Sequence, residues 1–248
     1  MFNFYTSDKI LKQRVEDQLI SESTSRGTAI VSLIETRIQQ ITLLSTNQNI
    51  RDAVKNSSAN QSLDMLKSEV VSFDEAMGES IGLDNIKVIG KDGTIIYDSL
   101  GIDGQDRFTD PRLNKGLEQG FLDFDYIQGQ RKLTVIVPIK ASQTDSTSIG
   151  IVMAVMDTDV LDKILLNRKG LGETGEVYLV NSQKLMLTES RFIENAAFAQ
   201  KVDTFPVQEC FEKGKDSNSV YPDYRNIRIV GISYCVRDLG FVLLAEID

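Results

Sequence analysis

The most regular pattern of apolar positions in the chain lies in the stretch Asp8–Asn47. Some of its apolar residues recur at alternating three- and four-residue steps: Val31, Ile34, Ile38 and Ile41. This spacing puts their side chains on one stripe of an α-helix. The stretch contains no proline, and a helix of about 40 residues would be about 60 Å long. Such a length predicts a spine for two packed modules, and the alternative is a coiled coil or a spacer helix.

Further helices are predicted on the same kind of evidence. Ile50–Lys55 is predicted as a short helical segment. Apolar residues at three- and four-residue steps predict a second long helix over Leu63–Met77, with Gly78 as its stop. We expect this helix to fold back against the first, and we expect the first helix to bend at Gly27.

Beyond these helices the pattern changes to β-branched runs separated by turn residues, which predicts strands. A short helix interrupts them, with Asp110 as its N-cap, Pro111 in its first turn and Gly120 as its stop. Asp157 or Thr158 then caps a linker helix. The predicted strands are Asn85–Gly90, Thr94–Asp98, Phe121–Ile127, Arg131–Lys140 and Ser148–Met156.

The second half of the chain repeats this order. Helical segments are predicted near Ile193–Lys201 and Pro206–Lys213, and Val88–Ser99 aligns with Leu179–Ser190. A duplicated module of about 90 residues, with strands joined by hairpins into one antiparallel sheet, predicts an α+β fold. The strands predicted for this half are Gly175–Asn181, Lys184–Thr188, Ser217–Tyr224, Ile227–Cys235 and Gly240–Ile247.

The composition argues against several classes of function. A formal net charge of −9 argues against a nucleic-acid partner, since phosphate binding needs basic patches. The chain has no histidine, the commonest general base and metal ligand, and its 2 cysteines are too few for a usual zinc site. We therefore predict no catalytic residue, no metal and no cofactor. A carboxylate-based hydrolase is the enzyme alternative, although no spacing singles out one acidic pair.

Three features of the sequence concern a possible location next to a membrane. The longest apolar run, Ile149–Met156, has the length of a strand rather than of a membrane helix. The chain opens on the aromatic cluster Met1–Tyr5, of the kind found at membrane interfaces, and stops just after the apolar run Phe241–Ile247. These ends suit a domain excised from between membrane helices, and an ordinary N-terminus with stray aromatic residues is the alternative.

Several stretches together carry a family resemblance: Gly172–Val180, Leu187–Phe192, Asp223–Arg225 and Leu244–Asp248, and more loosely Lys91–Gly93, Pro138 and Gly150–Asp157. They resemble double Cache sensor domains, the extracytoplasmic parts of membrane histidine kinases, chemoreceptors and cyclic-dinucleotide enzymes. The first four stretches match the membrane-proximal half of that family, and the others match its membrane-distal half.

The resemblance implies a long N-terminal helix packed on two PAS-like modules with antiparallel sheets. Residues 1–78 would hold the long and returning helices, 79–160 the membrane-distal module and 161–248 the membrane-proximal module. The resemblance also implies an extracytoplasmic location at the cell membrane, flanking transmembrane helices and a small polar ligand in the distal module. The parent protein would be a sensor histidine kinase or a chemoreceptor, and this domain would catalyse nothing.

In the family, the ligand site lies on the loop and helix after the second strand, on the next two strands and at the end of the last strand. The amino-acid-binding version has arginine, proline and two aromatic residues where this chain has Asp110–Leu113, which disfavours an α-amino acid. Asp125 and Asp157 suit an amine or a quaternary ammonium group, whereas Arg107 or Arg112 suits a carboxylate. The positions carried over are Arg107, Phe108, Asp110, Arg112, Asp125, Tyr126, Arg131 and Asp157.

Five of these residues also have a purely structural interpretation. Asp110 and Asp157 would cap helices. Arg107 and Arg112 would be solvated surface charges, and Tyr126 would fill the sheet.

Two further features stay open at the level of sequence. Cys210 and Cys235 permit a disulfide if the domain lies outside the cytoplasm, and two buried free thiols are the alternative. The long helix could instead make the domain an interaction module, which pairs with a partner or forms a homodimer and binds no small ligand. Ile30, Leu33 and Leu44, which lie off the main apolar stripe, favour that second function.

Overall fold

The structure is a computed structural model that describes residues 2–56, 60–101 and 107–248, with side chains except at residues 2–9, 11, 12 and 60. The aromatic side chains of the N-terminal cluster therefore lie outside the described part. The chain divides into two compact units. The central unit is Leu33–Asp159, and the terminal unit combines Met1–Ser32 with Val160–Asp248. The first helix contributes residues to both.

The described residues form helices and strands in the predicted α+β order. The helices are α1 (Phe2–Ser45), α2 (Gln48–Lys55), α3 (Asn60–Phe73), α4 (Glu79–Ile81), α5 (Arg112–Glu118), α6 (Asp159–Leu165) and α7 (Phe205–Lys213). The strands are β1 (Leu83–Gly90), β2 (Ile95–Asp98), β3 (Phe121–Ile127), β4 (Gln130–Lys140), β5 (Ser148–Asp157), β6 (Glu176–Asn181), β7 (Asn218–Pro222), β8 (Arg228–Val236) and β9 (Phe241–Ile247). The prediction of an α+β fold with a long N-terminal helix and antiparallel sheets is confirmed.

The central unit is built on a five-stranded antiparallel sheet of order β2-β1-β5-β4-β3. Successive residues of a strand point to opposite faces of the sheet. Apolar residues occupy both the odd and the even positions of these strands, so both faces of the sheet are covered. On one face Val88, Val135 and Val152 pack with Ile41 of α1 and Leu66 of α3. The returning helix therefore covers the same face as the end of the first helix.

The opposite face of this sheet, which we call the α5 face, packs against α5. Ile136 and Ile151 of the sheet form a buried cluster with Leu113 of the helix. Gly116 permits this close approach, because a Cβ added there would lie 2.5 Å from the Ile136 side chain and 3.3 Å from that of Ile151. Asp110 caps the start of the helix, since its Oδ1 accepts the backbone N–H of the second residue after it at 2.9 Å.

The terminal unit contains a second antiparallel sheet, of order β6-β9-β8-β7. Val207 of α7 packs on Val180 and Val242 of this sheet. A disulfide joins Cys210 of α7 to Cys235 of β8, whose Cα atoms are 5.3 Å apart. The bond therefore fastens the helix of this unit to its sheet.

Helix α1 buries its apolar stripe. Ile34 is fully buried, and so is Ile30, which lies off the predicted stripe. The helix continues through Gly27, where a bend was predicted. A Cβ at Gly27 would lie 2.5 Å from the ring of Tyr234, so the glycine is explained by the close approach of β8 within the terminal unit.

Two predicted helix ends were wrong. Helix α3 continues past Gly78 through a π-helical turn and α4, and the helical run ends at Gly82, which has a left-handed φ of 63°. Gly82 is also required by its surroundings, because a Cβ there would collide with the Asp157 carboxylate. Helix α5 ends at Glu118 before an extended residue, so Gly120 does not stop it.

Two predicted elements of the second half were also wrong. Lys184–Thr188 forms isolated bridges rather than a strand, because Asn181 Oδ1 accepts backbone N–H groups two and four residues further on and bends the chain into a turn. Ile193–Lys201 is irregular, because Asn195 and Phe198 have left-handed φ values of 56° and 59°, which a right-handed helix excludes. Within the described residues the sheet therefore has four strands rather than the predicted five.

Candidate functional site

Strand register gathers polar side chains at one end of the α5 face. Asp125 of β3 pairs with Lys132 of β4, which in turn pairs with Asp157 of β5. Asp123 pairs with Thr134, two residues along each strand, so this pair points to the same face of the sheet. Because the pleat alternates, all five side chains lie on the side where α5 packs. We call these five residues the polar patch.

Arg112 of α5 reaches this patch. Its Nη1 donates to Asp125 Oδ2 at 2.6 Å, while its Nε and Nη2 donate to Asp110 Oδ2 at 2.9 and 2.7 Å. Asp125 Oδ2 also accepts from Thr134 Oγ1 at 2.6 Å. Burial alone would lower the pKa of Arg112, but its hydrogen bonds to both carboxylates raise that pKa above its usual value. The bond to Arg112 also lowers the pKa of the Asp110 carboxyl.

Asp157 connects the polar patch to other elements of the chain. Its Oδ1 accepts the backbone N–H of Asp159 at 3.1 Å, at the start of α6. Its backbone N–H donates to the carbonyl of Gly82 at 2.8 Å, and its own carbonyl accepts from Arg37 Nη1 at 3.4 Å. Asp157 therefore accepts a hydrogen bond at the start of α6, as its interpretation as a helix cap predicted. Its side chain is also part of the polar patch.

Arg37 is a buried positive charge on α1. It is 1% exposed, and its Nε and Nη2 have no hydrogen-bond partner among the described residues. Burial lowers the pKa of Arg37, and the nearby charge of Asp157 opposes that effect. The contact with the Asp157 carbonyl therefore links α1 to the last residue of β5 within the central unit.

Two lysines beside the patch are paired with carboxylates. Lys132 Nζ lies 2.5 Å from Asp84 Oδ2. Lys87, which the register places on the α5 face, contacts the buried carboxylate of Asp98. Both lysines are largely shielded from solvent, with side chains 13% and 20% exposed.

The other predicted site residues lie away from the patch. Tyr126 and Arg131 pair with each other in the register, which puts both on the opposite face, and Tyr126 is 60% exposed. Arg107 is exposed and bridges to Thr94. Phe108 is half-buried and packs against the apolar cluster of the α5 face. The structure therefore brings Asp110, Arg112, Asp125 and Asp157 to the α5 face and adds Phe108 at its apolar end.

Sequence reasoning missed several residues of this region. Asp123, Lys132 and Thr134 belong to the patch and were not predicted. Strand alternation was the available signal, since Asp123 and Asp125 are two residues apart in one strand. Arg37 was signalled only by its position three residues after Ile34, on an otherwise apolar stripe.

A second polar cluster lies in the terminal unit. Glu246 is 2% exposed and accepts from Tyr221 OH at 2.7 Å. Glu176, which pairs with it across the sheet, accepts from Tyr224 OH at 2.6 Å and from the backbone N–H of Arg191. Burial raises the pKa of Glu246 to about 8, against the opposing effect of the Tyr221 hydroxyl. The Tyr178 hydroxyl and Glu246 Oε2 are buried in this cluster without a hydrogen-bond partner among the described residues.

Two other kinds of site are not found in the described part of the chain. No group of three or more His, Cys, Asp or Glu side chains there is placed to hold a metal ion. No helix there is both long enough and apolar enough to cross a membrane.

Comparisons with known proteins show the fold family. A search of curated proteins finds no match. Among solved structures, the sensor domain of the V. cholerae histidine kinase DctB is similar, with a TM-score of 0.69 and 12% identity over 94% of this chain and 97% of that chain. The ligand-binding domain of the Pseudomonas aeruginosa PAO1 amino acid chemoreceptor PctC, solved with GABA, has a TM-score of 0.65 and 15% identity over 94% of this chain and 99% of that one.

A third similar structure is the ligand-binding domain of the Pseudomonas fluorescens chemoreceptor CtaA with L-isoleucine. Its TM-score is 0.63, and it is 14% identical over 98% of this chain and 96% of that chain. The sequence of this chain matches the Cache domain over residues 7–248. The resemblance to double Cache sensor domains is therefore confirmed, and the chain belongs to the Cache domain family.

Proposed function

We propose that this chain is the extracytoplasmic sensor domain of a membrane receptor and that it binds a small polar ligand in its central unit. That unit corresponds to the predicted membrane-distal module, residues 79–160, together with the helices that pack on it. Flanking transmembrane helices would anchor the parent protein, and a kinase-type output domain would receive the signal. The family supports this class of function, as do the similar sensor domains of histidine kinases and chemoreceptors.

The polar patch is the observation that carries the proposal. Most of the α5 face is apolar, but at one end it holds the carboxylates of Asp123, Asp125 and Asp157. Partly buried charges lose hydration, so they persist in a fold when they are paired or when they bind something. A few polar groups next to an apolar wall are typical of a small-molecule site.

Asp157 supplies a route from the patch to α1. Its carboxylate belongs to the patch, and its backbone carbonyl accepts from Arg37 of α1. A ligand that binds one arrangement of Asp157 more tightly than another shifts the population by that difference in affinity. Because α1 contributes residues to both units, it is the element through which occupancy would be passed on.

A thermal-shift screen of amines, betaines, amino acids and carboxylates tests the proposal. We expect at least one compound to raise the Tm of the chain. The variant Asp125→Asn/Asp157→Asn should then change its affinity by about tenfold or more, since a hydrogen bond to a charged group contributes about 1.5–3 kcal/mol. Asp64→Asn is the matched control, because Asp64 is exposed on α3. A ligand that binds the double variant and the parent chain equally well would place the site elsewhere.

An interaction module with no small ligand is the second function that the sequence allowed. Ile30 and Leu44, which lie off the main apolar stripe, are 0% and 5% exposed. They are therefore buried within the chain and are not available to a partner. Ile10, Ile20 and Leu43 are exposed on α1, but they are far apart along the helix and form no continuous stripe. We therefore propose ligand sensing first. Analytical ultracentrifugation measures whether a homodimer forms through α1.

A further inference from the structure

Register in the sheet of the terminal unit places two carboxyl groups directly opposite each other. Glu176 of β6 and Glu246 of β9 are paired residues, and they are 4% and 2% exposed. Directly opposed side chains lie on the same face of an antiparallel sheet, with Cβ atoms about 4.5–5.5 Å apart. Two carboxylates so close together in a buried site oppose each other's ionisation, so the pair needs a compensating positive charge.

Basic side chains do not supply that charge. Within the described residues, no Lys or Arg nitrogen lies within 4.0 Å of either carboxyl group. Two arginines in the adjacent loops bond other groups. Arg225 pairs with Asp223 and Asp248, and Arg191 Nη1 donates to two backbone carbonyls. A proton on one of the two carboxyl groups is the compensation that requires no further side chain.

Hydrogen bonds indicate which carboxyl group carries the proton. Glu176 accepts two of them, one from a tyrosine hydroxyl and one from a backbone N–H, and such donors favour an ionised carboxylate. Glu246 accepts from the Tyr221 hydroxyl on Oε1. Its Oε2 is buried without a partner among the described residues, and so is the hydroxyl of Tyr178. A proton on Glu246 Oε2 turns that atom into a donor and removes one of the two opposed charges.

The sheet is shaped so that a tyrosine of the edge strand reaches Glu246. Gly231 of β8 pairs with Glu246, and Tyr221 of β7 extends past it to Glu246 Oε1 at 2.7 Å. A Cβ at Gly231 would collide with the Tyr221 hydroxyl, so the glycine is required for this contact. The ionisable groups around Glu246 are Glu176 and Tyr178 of β6, Tyr221 of β7 and Asp223 beyond it.

Glu176 also fastens two loops to the sheet. Its Oε1 accepts the backbone N–H of Arg191, and its Oε2 accepts from the Tyr224 hydroxyl at 2.6 Å. Ser190 Oγ lies 2.7 Å from the same hydroxyl, so one carboxylate connects both loops to β6. We call these loops, residues 190–193 and 223–227, the tethered loops.

We propose that Glu176 and Glu246 form a proton-binding pair that makes the terminal unit responsive to pH. Glu246 holds the proton at neutral pH. When that proton passes to water, two opposed negative charges remain in a buried site, and their repulsion acts on Glu176 and its hydrogen bonds. The tethered loops then detach from the sheet and admit water. The inference does not rest on the proposed ligand site, because all of these groups lie in the terminal unit.

The test follows the carboxyl group and the loops in the full chain. With isotope-labelled glutamate, NMR should show one carboxyl group that titrates at about pH 8, because burial raises the pKa of Glu246 to about 8. Hydrogen–deuterium exchange at about pH 6.5 and about pH 9, corrected for intrinsic exchange, measures loop opening. Amides of the tethered loops should lose about tenfold in protection, since each pH unit above the midpoint changes the ratio of the two protonation states tenfold.

Two variants and a control assign the effect to this pair. Glu246→Gln cannot ionise, so its titrating signal should be missing and its tethered loops should stay protected at both pH values. Glu176→Gln removes the opposing charge, so Glu246 should titrate at a lower pH than in the parent chain. This second variant keeps the test decisive if Glu246→Gln fails to fold. Glu173→Gln, at an exposed position, should behave as the parent chain does.

Three results would overturn the inference. One is a parent chain in which no glutamate carboxyl group titrates above about pH 6.5, or in which the titrating signal persists in Glu246→Gln. Another is unchanged protection of the tethered loops between the two pH values. The third is an equal loss of protection in the tethered loops and in β6–β9, which would show that Glu246 affects only the stability of the whole unit.

Discussion

A single buried carboxyl group can give a domain its pH dependence, and Glu246 is such a group. It is 2% exposed in the terminal unit, and burial raises its pKa to about 8. The hydroxyls of Tyr221 and Tyr178 favour its ionised form, whereas Asp223 and Glu176 oppose it. Near neutral pH the folded state therefore keeps a proton that the unfolded chain, with a pKa of 4.5 for this group, releases.

The contribution of Glu246 to stability is full below about pH 4.5 and is lost as the pH rises through about 8. We predict that Glu246→Gln abolishes this loss, because the amide keeps an acceptor for Tyr221 and cannot ionise. At about pH 9 the variant should be more stable than the parent by about 4 kcal/mol, and the difference should fall below about 1 kcal/mol at about pH 5.

Thermal unfolding followed by circular dichroism across this pH range measures the effect. Glu173→Gln is the control, because Glu173 is exposed. A variant whose stability falls with pH as steeply as that of the parent chain would contradict the assignment to Glu246.

At the scale of single elements, α1 shows how packing explains unusual residues in a helix. Arg37 interrupts the apolar stripe because it reaches the carbonyl of Asp157. Gly27, a poor helix former, is present because the ring of Tyr234 lies where a Cβ would be. Both residues are explained by neighbours from distant parts of the sequence.

We predict that Gly27→Ala destabilises the chain, although alanine is favoured over glycine in a helix by about 1 kcal/mol. The new methyl group would lie 2.5–3.0 Å from ring atoms of Tyr234, and overpacking of this kind costs about 1–3 kcal/mol. The net change in the free energy of unfolding should be a loss of about 1 kcal/mol, the difference between the two effects. Urea denaturation measures it, with Thr28→Ala at an exposed neighbouring position as the control. A more stable Gly27→Ala chain would show that the ring can move aside.

At the scale of the whole molecule, the disulfide belongs to one unit alone. Cys210 and Cys235 both lie in the terminal unit. We predict that Cys210→Ala/Cys235→Ala destabilises that unit by about 3 kcal/mol, because the bond closes a loop with a sequence separation of 25 residues. The sheet of the central unit has no part in this loop and should keep its stability.

Hydrogen–deuterium exchange distinguishes the two sheets. Backbone amides in β6–β9 should exchange faster in the double variant, while those in β1–β5 should not change. Reduction of the parent chain should reproduce the same pattern. Faster exchange in both sheets would show that the units do not unfold separately.

The sequence alone determined the elements whose signals are local. The apolar stripe of α1, the strand β3 over Phe121–Ile127 and the capping of α5 by Asp110 all depend on residues within a few positions of one another. The repeat of this pattern, together with the family resemblance, was enough to predict two antiparallel sheets and a Cache domain. These features followed because hydrophobic periodicity and turn chemistry act over one turn or one pleat.

Only the tertiary structure decided which polar groups meet. Arg112 and Asp125 both appeared as ligand contacts in the sequence, but the approach of α5 to β3 pairs them with each other. The pleat placed Asp123 in the patch and turned Tyr126 away from it. Lys184–Thr188 failed to form a strand because side-chain hydrogen bonds bent it. These outcomes depend on register and on contacts between residues distant in the chain, and local patterns carry no information about either.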